Sequence, residues 1–131
     1  MALAVGLSVT NLANKWLDML RGTAFTAPAG AYIALHTAIP GAAGTLSASA
    51  VTTRSAITWS AASTGALAIT GTNPSWAMTT SETISHITLW DASSSGNFLW
   101  SLALTTPKAV INGDTLTLTS CTLSLTPLAT T

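Results

Sequence analysis

The chain has 131 residues, a length that suits a single domain with a continuous core. Four basic and four acidic side chains leave no net charge, where an ordinary domain of this size carries about a quarter ionic residues. With no cluster of Lys or Arg, nucleic acid is excluded as an expected partner, because neutralising a phosphate backbone takes several grouped cations.

Most of the surface must therefore be Ser, Thr, Ala and Gly, a neutral surface that is easily desolvated against another subunit. Cys121 is the one cysteine, so no intrachain disulfide can form. Its apolar strand context reads as a small buried hydrophobe. No apolar run approaches the roughly 18–20 residues that cross a bilayer, so no membrane insertion is expected. The opening MALAVGLSV lacks the basic residues of a signal peptide, and the chain is expected to be used without export.

Residues 1–9 show no periodicity and read as an N-terminal arm. From 10 to 21 the period becomes helical. Leu12, Trp16, Met19 and Leu20 fall at i, i+4, i+7 and i+8, while Asn14, Lys15, Asp18 and Arg21 lie opposite. Ser8 and Thr10 are both N-cap candidates, and Gly22 supplies the stop. A helix of about three turns is marginal alone, so its apolar stripe must dock. Core packing is the first expectation for Trp16, with an interface role as the alternative.

A loop with Pro28 leads to a strand at 31–37. The small-residue run 38–50, containing Pro40 and two glycines, predicts an extended loop able to reach across a partner. A strand at 51–60 places Ile57 and Trp59 in one phase, and Ser63-Thr64-Gly65 turns the chain into 66–70. After the 71–74 turn comes a short segment at 76–78. There, after a proline turn, Trp76 is the tryptophan most expected to be exposed.

The strongest signal is a hairpin. In its first arm Ile84, His86, Thr88 and Trp90 share one phase, and Ile87 and Leu89 the other. In its second, Phe98, Trp100, Leu102 and Leu104 alternate with Leu99, Ser101, Ala103 and Thr105. Residues 92–97 supply the polar turn, with a Gly-Asn pair able to take positive φ. Residues 106–108 read as a loop, and Asn112-Gly113-Asp114 as a turn.

In the last strand the apolar phase moves from Leu116 and Leu118 to Cys121, Leu123 and Leu125. A slip of one residue flips every side chain, so either a β-bulge at Ser120–Cys121 or a crossing between two sheets is required. Short strands with turns every 8–12 residues predict a mainly β fold, an antiparallel β-sandwich over 31–126 with one short N-terminal amphipathic helix.

Candidate chemistry is sparse. His36 and His86 lack metal-site spacing, there is no glycine-rich phosphate loop, and no acidic cluster suits calcium. With serines this abundant, a Ser-His-Asp arrangement carries no information. No catalytic residue, metal or cofactor is expected. Of the five tryptophans, Trp16, Trp59, Trp76, Trp90 and Trp100, most belong in a core, though exposed Trp can stack on sugars or anchor an interface.

Three stretches, ALHTAIPGAAGT (34–45), AVTTRSAITWSAAS (50–63) and ISHITLWDASSSGNFLWSLALTTPKAVINGDTLTL (84–118), closely resemble a family of small tailed-phage virion proteins. Its members are minor tail or tail fibre proteins, particularly in phages of actinobacteria, with head-decoration and head-fibre relatives. The resemblance spans about 11–128 and keeps the motif order. It implies a non-enzymatic structural protein of the virion, assembled in the host cytoplasm, with no catalytic residues to transfer. By analogy it implies a homo-oligomer, a trimer by preference, bound to other virion proteins of the tail or the capsid. A host cell-surface glycan is the partner for the alternative of a binding module. The chain departs from the family at Arg54, which many relatives precede with tyrosine. Trp16, Arg54 and Trp76 are the candidate interface residues.

Overall fold

The computed structural model of the protein describes residues 4–125. Its strands are β1 (Tyr32–His36), β2 (Ser55–Ala56), β3 (Thr58–Trp59), β4 (Ala66–Thr70), β5 (Ser75–Ala77), β6 (Glu82–Trp90), β7 (Phe98–Val110), β8 (Thr115–Thr117) and β9 (Thr122–Ser124). Every pairing is antiparallel. The largest sheet runs β2-β1-β6-β7, and two smaller ones run β3-β4-β9 and β5-β8. The fold is thus mainly β, with layered antiparallel sheets and one short N-terminal helical segment.

Register sorts the large sheet into two faces. Ile33 opposes Leu89, Leu35 opposes Ile87, and these face Trp100 and Leu102 across β6–β7. This face meets Trp76 of β5, Leu123 of β9, Met78 and Leu12, forming one continuous apolar cluster. The other face carries Tyr32, His36, Thr88, Trp90 and Phe98.

The long hairpin forms as its alternation requires, with one correction. Leu89 pairs with Trp100 but Trp90 pairs with Phe98, so Leu99 is an extra residue. This bulge flips Phe98 out of the phase of Trp100 and onto the face of Trp90, where the two rings lie 5.7 Å apart. Leu99 is buried in the core instead. Farther along, four residues of β7 (104–107) oppose only Ser85, between the Ile84–Lys108 and His86–Ala103 pairs. The segment 106–108, expected as a loop, is therefore bulged strand; Pro107 has no N–H to offer a ladder and is tolerated at such an irregularity.

Two expected strands turn out to be crossings. Residues 51–60 do not form one strand: β2 belongs to the large sheet, β3 to a small one, and Ile57 alone connects them, donating its N–H to Ala31 O. The phase slip near Ser120 has the same cause. β8 pairs with β5 and β9 with β4, and the chain changes sheets between Thr117 and Thr122. Of the two solutions the slip allows, the crossing is the one adopted.

The N-terminal segment lines the outer edge of β7. Ser8 N–H donates to Leu99 O (2.7 Å) and Ser101 N–H to Gly6 O (2.9 Å), which covers that edge. Residues 1–3 of the expected arm, and Thr126 at the end of the expected sandwich, lie outside the described residues.

Ser8, rather than Thr10, is the cap; its Oγ accepts from Asn11 N–H. A π-helical turn, Val9–Ala13, then runs into an α-helix, α1, Asn14–Met19. It ends in a Schellman arrangement, Thr23 N–H to Asp18 O and Gly22 N–H to Met19 O, with Gly22 at φ 83°. The expected apolar stripe docks only in part. Leu12 is buried and Trp16 half-buried, but Met19 and Leu20 are 49% and 86% exposed, because among the described residues nothing covers the helix's last turn.

Residues 38–50, expected as an extended loop reaching outward, fold back on their own sheet. Thr37 N–H donates to Ser47 O and Ser49 N–H to Leu35 O, so the loop's return leg pairs with the end of β1. Trp76 is also corrected. It is 3% exposed, on the inward side of β5, and its indole N–H donates to Thr53 O at 2.9 Å.

Candidate functional site

Two regions concentrate unusual side chains, one on each face of the large sheet. On the inner face, the small sheet β3-β4-β9 stands apart from the helical segment, leaving an apolar groove of about 590 Å³. Trp16, Trp59 and Trp100 line it, with Phe25, Leu67 and Leu123. Trp16 and Trp100 meet edge to face, with centroids 6.2 Å apart, an arrangement aromatic rings favour. Trp16 packs against the core, as first expected, and also forms a groove wall. Leu12 and Trp16 line the groove, and Met19 and Leu20 continue their helical phase as exposed side chains.

These groove residues come from the helical segment, the 25–31 stretch, the β2–β3 corner, β4, β7 and β9. The sequence holds no single motif for them; three tryptophans, one on the helix and two on different strands, were the available signal. A second cavity, about 310 Å³, lies under β5–β8 against Leu35, Trp76, Ile84 and Ile87.

The outer face is polar and closed. Arg54 reaches from the segment before β2 to the hairpin tip. Its Nη1 donates to Ala92 O (2.9 Å) and Ser95 O (2.6 Å), and its guanidinium lies 3.7 Å above the centre of the Trp90 ring. Burial lowers the Arg54 pKa, and Asp91 opposes that shift. Asp91 accepts from the backbone and side-chain N–H groups of Asn97, both at 2.7 Å. Burial pushes the Asp91 carboxyl up, but these hydrogen bonds outweigh it, and the group lies below its ordinary value. Arg54 is thus committed to holding the hairpin tip, and Trp76 to the core.

The histidines, fifty residues apart in sequence, stand opposite each other across β1–β6. His36 is 2% exposed; its Nδ1 meets Leu46 O and its Nε2 meets Thr88 Oγ1, each at 2.8 Å. His86 Nδ1 meets Ser85 Oγ. The Ser85 hydroxyl gives its hydrogen to Thr37 O, so the imidazole must donate to the serine. A nucleophilic serine needs the reverse polarity. The nearby carboxylates are engaged elsewhere: Glu82 accepts from Ser49 Oγ and Ala50 N–H, and Asp91 from Asn97. Among the described residues no group of three or more His, Cys, Asp or Glu is placed to hold a metal ion. Burial pushes the Cys121 thiol up, away from the reactive thiolate.

The site is thus an apolar groove on a β scaffold, walled mainly by aromatic and aliphatic side chains. No curated protein matches the chain. A family model does, described as Podophage GP4 fiber I protein gp80, and its match runs over residues 8–126, from the Ser8 cap through every strand. Matched across nearly its whole length, the chain belongs to that phage fibre family.

Proposed function

We propose that this chain is a non-enzymatic structural subunit of a tailed-phage virion, in the tail fibre or tail tip, assembled in the host cytoplasm. It assembles by burying neutral surface against copies of itself, a trimer by analogy with fibre proteins, and against other virion proteins. Membership of a fibre family supports the setting. The observation that carries the reading is the half-docked helix. Leu12 and Trp16 are covered by their own chain, while Met19 and Leu20, in the same phase, project uncovered beside an open apolar groove.

An amphipathic stripe left uncovered in one subunit is the usual mark of an interface. At the exposed end of the helix Arg21 is paired with Asp18 at 2.8 Å, so those two charges offset each other. Of the three candidate interface residues, Trp16 lies at this surface.

The oligomeric state of the purified protein, by light scattering and native mass spectrometry, tests the reading. We expect a closed oligomer that Leu20→Glu converts to monomer; a wild-type monomer at micromolar concentration counts against it. Copy number per particle, measured against the major capsid protein, separates the positions. Low copy number fits fibre or tail tip, whereas a number comparable with the capsid protein fits a decoration protein.

The three groove tryptophans favour one second reading, a host-surface glycan module. Its test is a polysaccharide titration followed by Trp fluorescence, in which Trp59→Ala abolishes any saturable shift. The almost wholly apolar walls favour apolar side chains over a sugar, whose hydroxyls need hydrogen-bond partners.

A further inference from the structure

Leu46 O can only accept, so the bond to it fixes a hydrogen on His36 Nδ1. The Trp90 indole can only donate, and it donates to Thr88 Oγ1 at 2.8 Å. The Thr88 hydroxyl hydrogen is then free to point at His36 Nε2, also at 2.8 Å. A single directed chain results: Trp90 N–H to Thr88 O–H to His36 Nε2, and His36 Nδ1–H to Leu46 O. Neutral His36 completes it; among the described residues no buried side-chain polar atom lacks a partner. The chain runs from the middle of the sheet to the 38–50 loop.

We propose that His36 is a proton-operated latch, holding the 38–50 loop on the sheet while neutral and releasing it when protonated. A second proton on Nε2 reverses the polarity of the bond to Thr88. Thr88 would then accept from both His36 and Trp90, and its own hydrogen would be stranded in a fully buried position. The added charge would also be opposed by His86, opposite on β6, and by Arg54 on the segment before β2, both of which lower the His36 pKa.

Burial, the largest influence, pushes His36 below its ordinary value of 6.5; the Leu46 carbonyl pulls the other way, and His86 and Arg54 add to the lowering. Because the folded value is depressed, the unfolded or released form binds the proton more tightly. The stabilisation is present above 6.5 and is lost as pH falls through the folded value.

Glu82 also faces the loop, accepting from Ser49 Oγ and Ala50 N–H, and has to be separated from the histidine. Release would uncover Phe98, because the loop backbone at Gly44 packs directly on that ring; a Cβ built there would fall 2.3 Å from it.

The test is carried out on the full chain. Nitrogen chemical shifts of the imidazoles report the tautomer and titration of His36, and hydrogen exchange at the Ser49 amide reports loop closure. We expect His36 in the Nδ1–H tautomer, with Ser49 protection falling up to about tenfold per pH unit in step with its titration. The step should survive in His86→Gln and Glu82→Gln and vanish in His36→Gln. An Nε2–H tautomer would overturn the proposal. So would constant protection through the His36 titration, or a step that follows Glu82 or His86. The tautomer and the wild-type exchange profile decide the matter even if His36→Gln does not fold.

Discussion

The two faces of the large sheet solve the problem of burial differently. The outer face is closed by its own chain: the 38–50 loop folds over it, Arg54 fastens the hairpin tip, and His36, Thr88 and Trp90 satisfy one another's hydrogen bonds. The inner face is covered by two small sheets that leave a 590 Å³ groove and an unpaired helix end. Closure on one side gives the chain its shape, and the open face on the other is where the proposed assembly would form. Substitutions on the closed side should therefore cost stability, and those at the open side should cost assembly.

The largest expected effect comes from the core common to both. Met78 is 2% exposed, and Met78→Ala should cost about 2–5 kcal/mol, read from the denaturant midpoint. On the closed face, Gly44→Ala combines a φ of +70° with a collision against the Phe98 ring. A loss of roughly 1–3 kcal/mol is expected, with faster proteolysis of the 38–50 loop. Arg54→Ala leaves the Ala92 and Ser95 carbonyls without their guanidinium donor. It should lower stability by about 1–2 kcal/mol and loosen the hairpin tip, seen as faster exchange at the Asn97 amide.

At the open face, Leu20→Glu should move monomer stability by no more than about 0.5 kcal/mol, since the side chain is 86% exposed. Its effect is expected in sedimentation, as loss of the proposed oligomer. A stability loss as large as that of Arg54→Ala would show that the helix end is already packed, and would erase the contrast between the faces.

The sequence carries the local features of this fold well and the long-range ones poorly. Period-two alternation marked the hairpin because the pleat imposes it on both arms, and Asn112-Gly113-Asp114 marked the turn between β7 and β8 through the needs of the backbone. Ser8 and Gly22 bounded the helical segment for the same kind of reason. Phe98 defeated the alternation because a bulge at Leu99 resets the phase, and composition does not announce a bulge. Ile57 and Trp59, in phase on paper, belong to one strand only if the chain stays in one sheet, and it does not.

Trp76 looked exposed because its strand is short, yet β8, forty residues later, pairs with it and turns the indole inward. The groove was legible only as scattered tryptophans. Its walls come from segments as distant as Leu12 and Leu123, and the sequence says nothing of how far apart tertiary packing will set them. The pairing of His36 with His86 depended on β1–β6 register in the same way.

The single residue between β2 and β3 has a mechanical consequence for the groove. Ala56 is hydrogen-bonded into the large sheet and Thr58 into a small one, so the two layers are tied by two peptide-unit steps of about 3.8 Å each. At that corner the layers can neither separate nor slide without breaking strand pairing. The wall formed by Ile57 and Trp59 is thus of fixed position, like the closed end of a vice. If the groove takes a partner, as proposed, any adjustment to it must come from the opposite jaw, the 25–31 stretch and the helical segment.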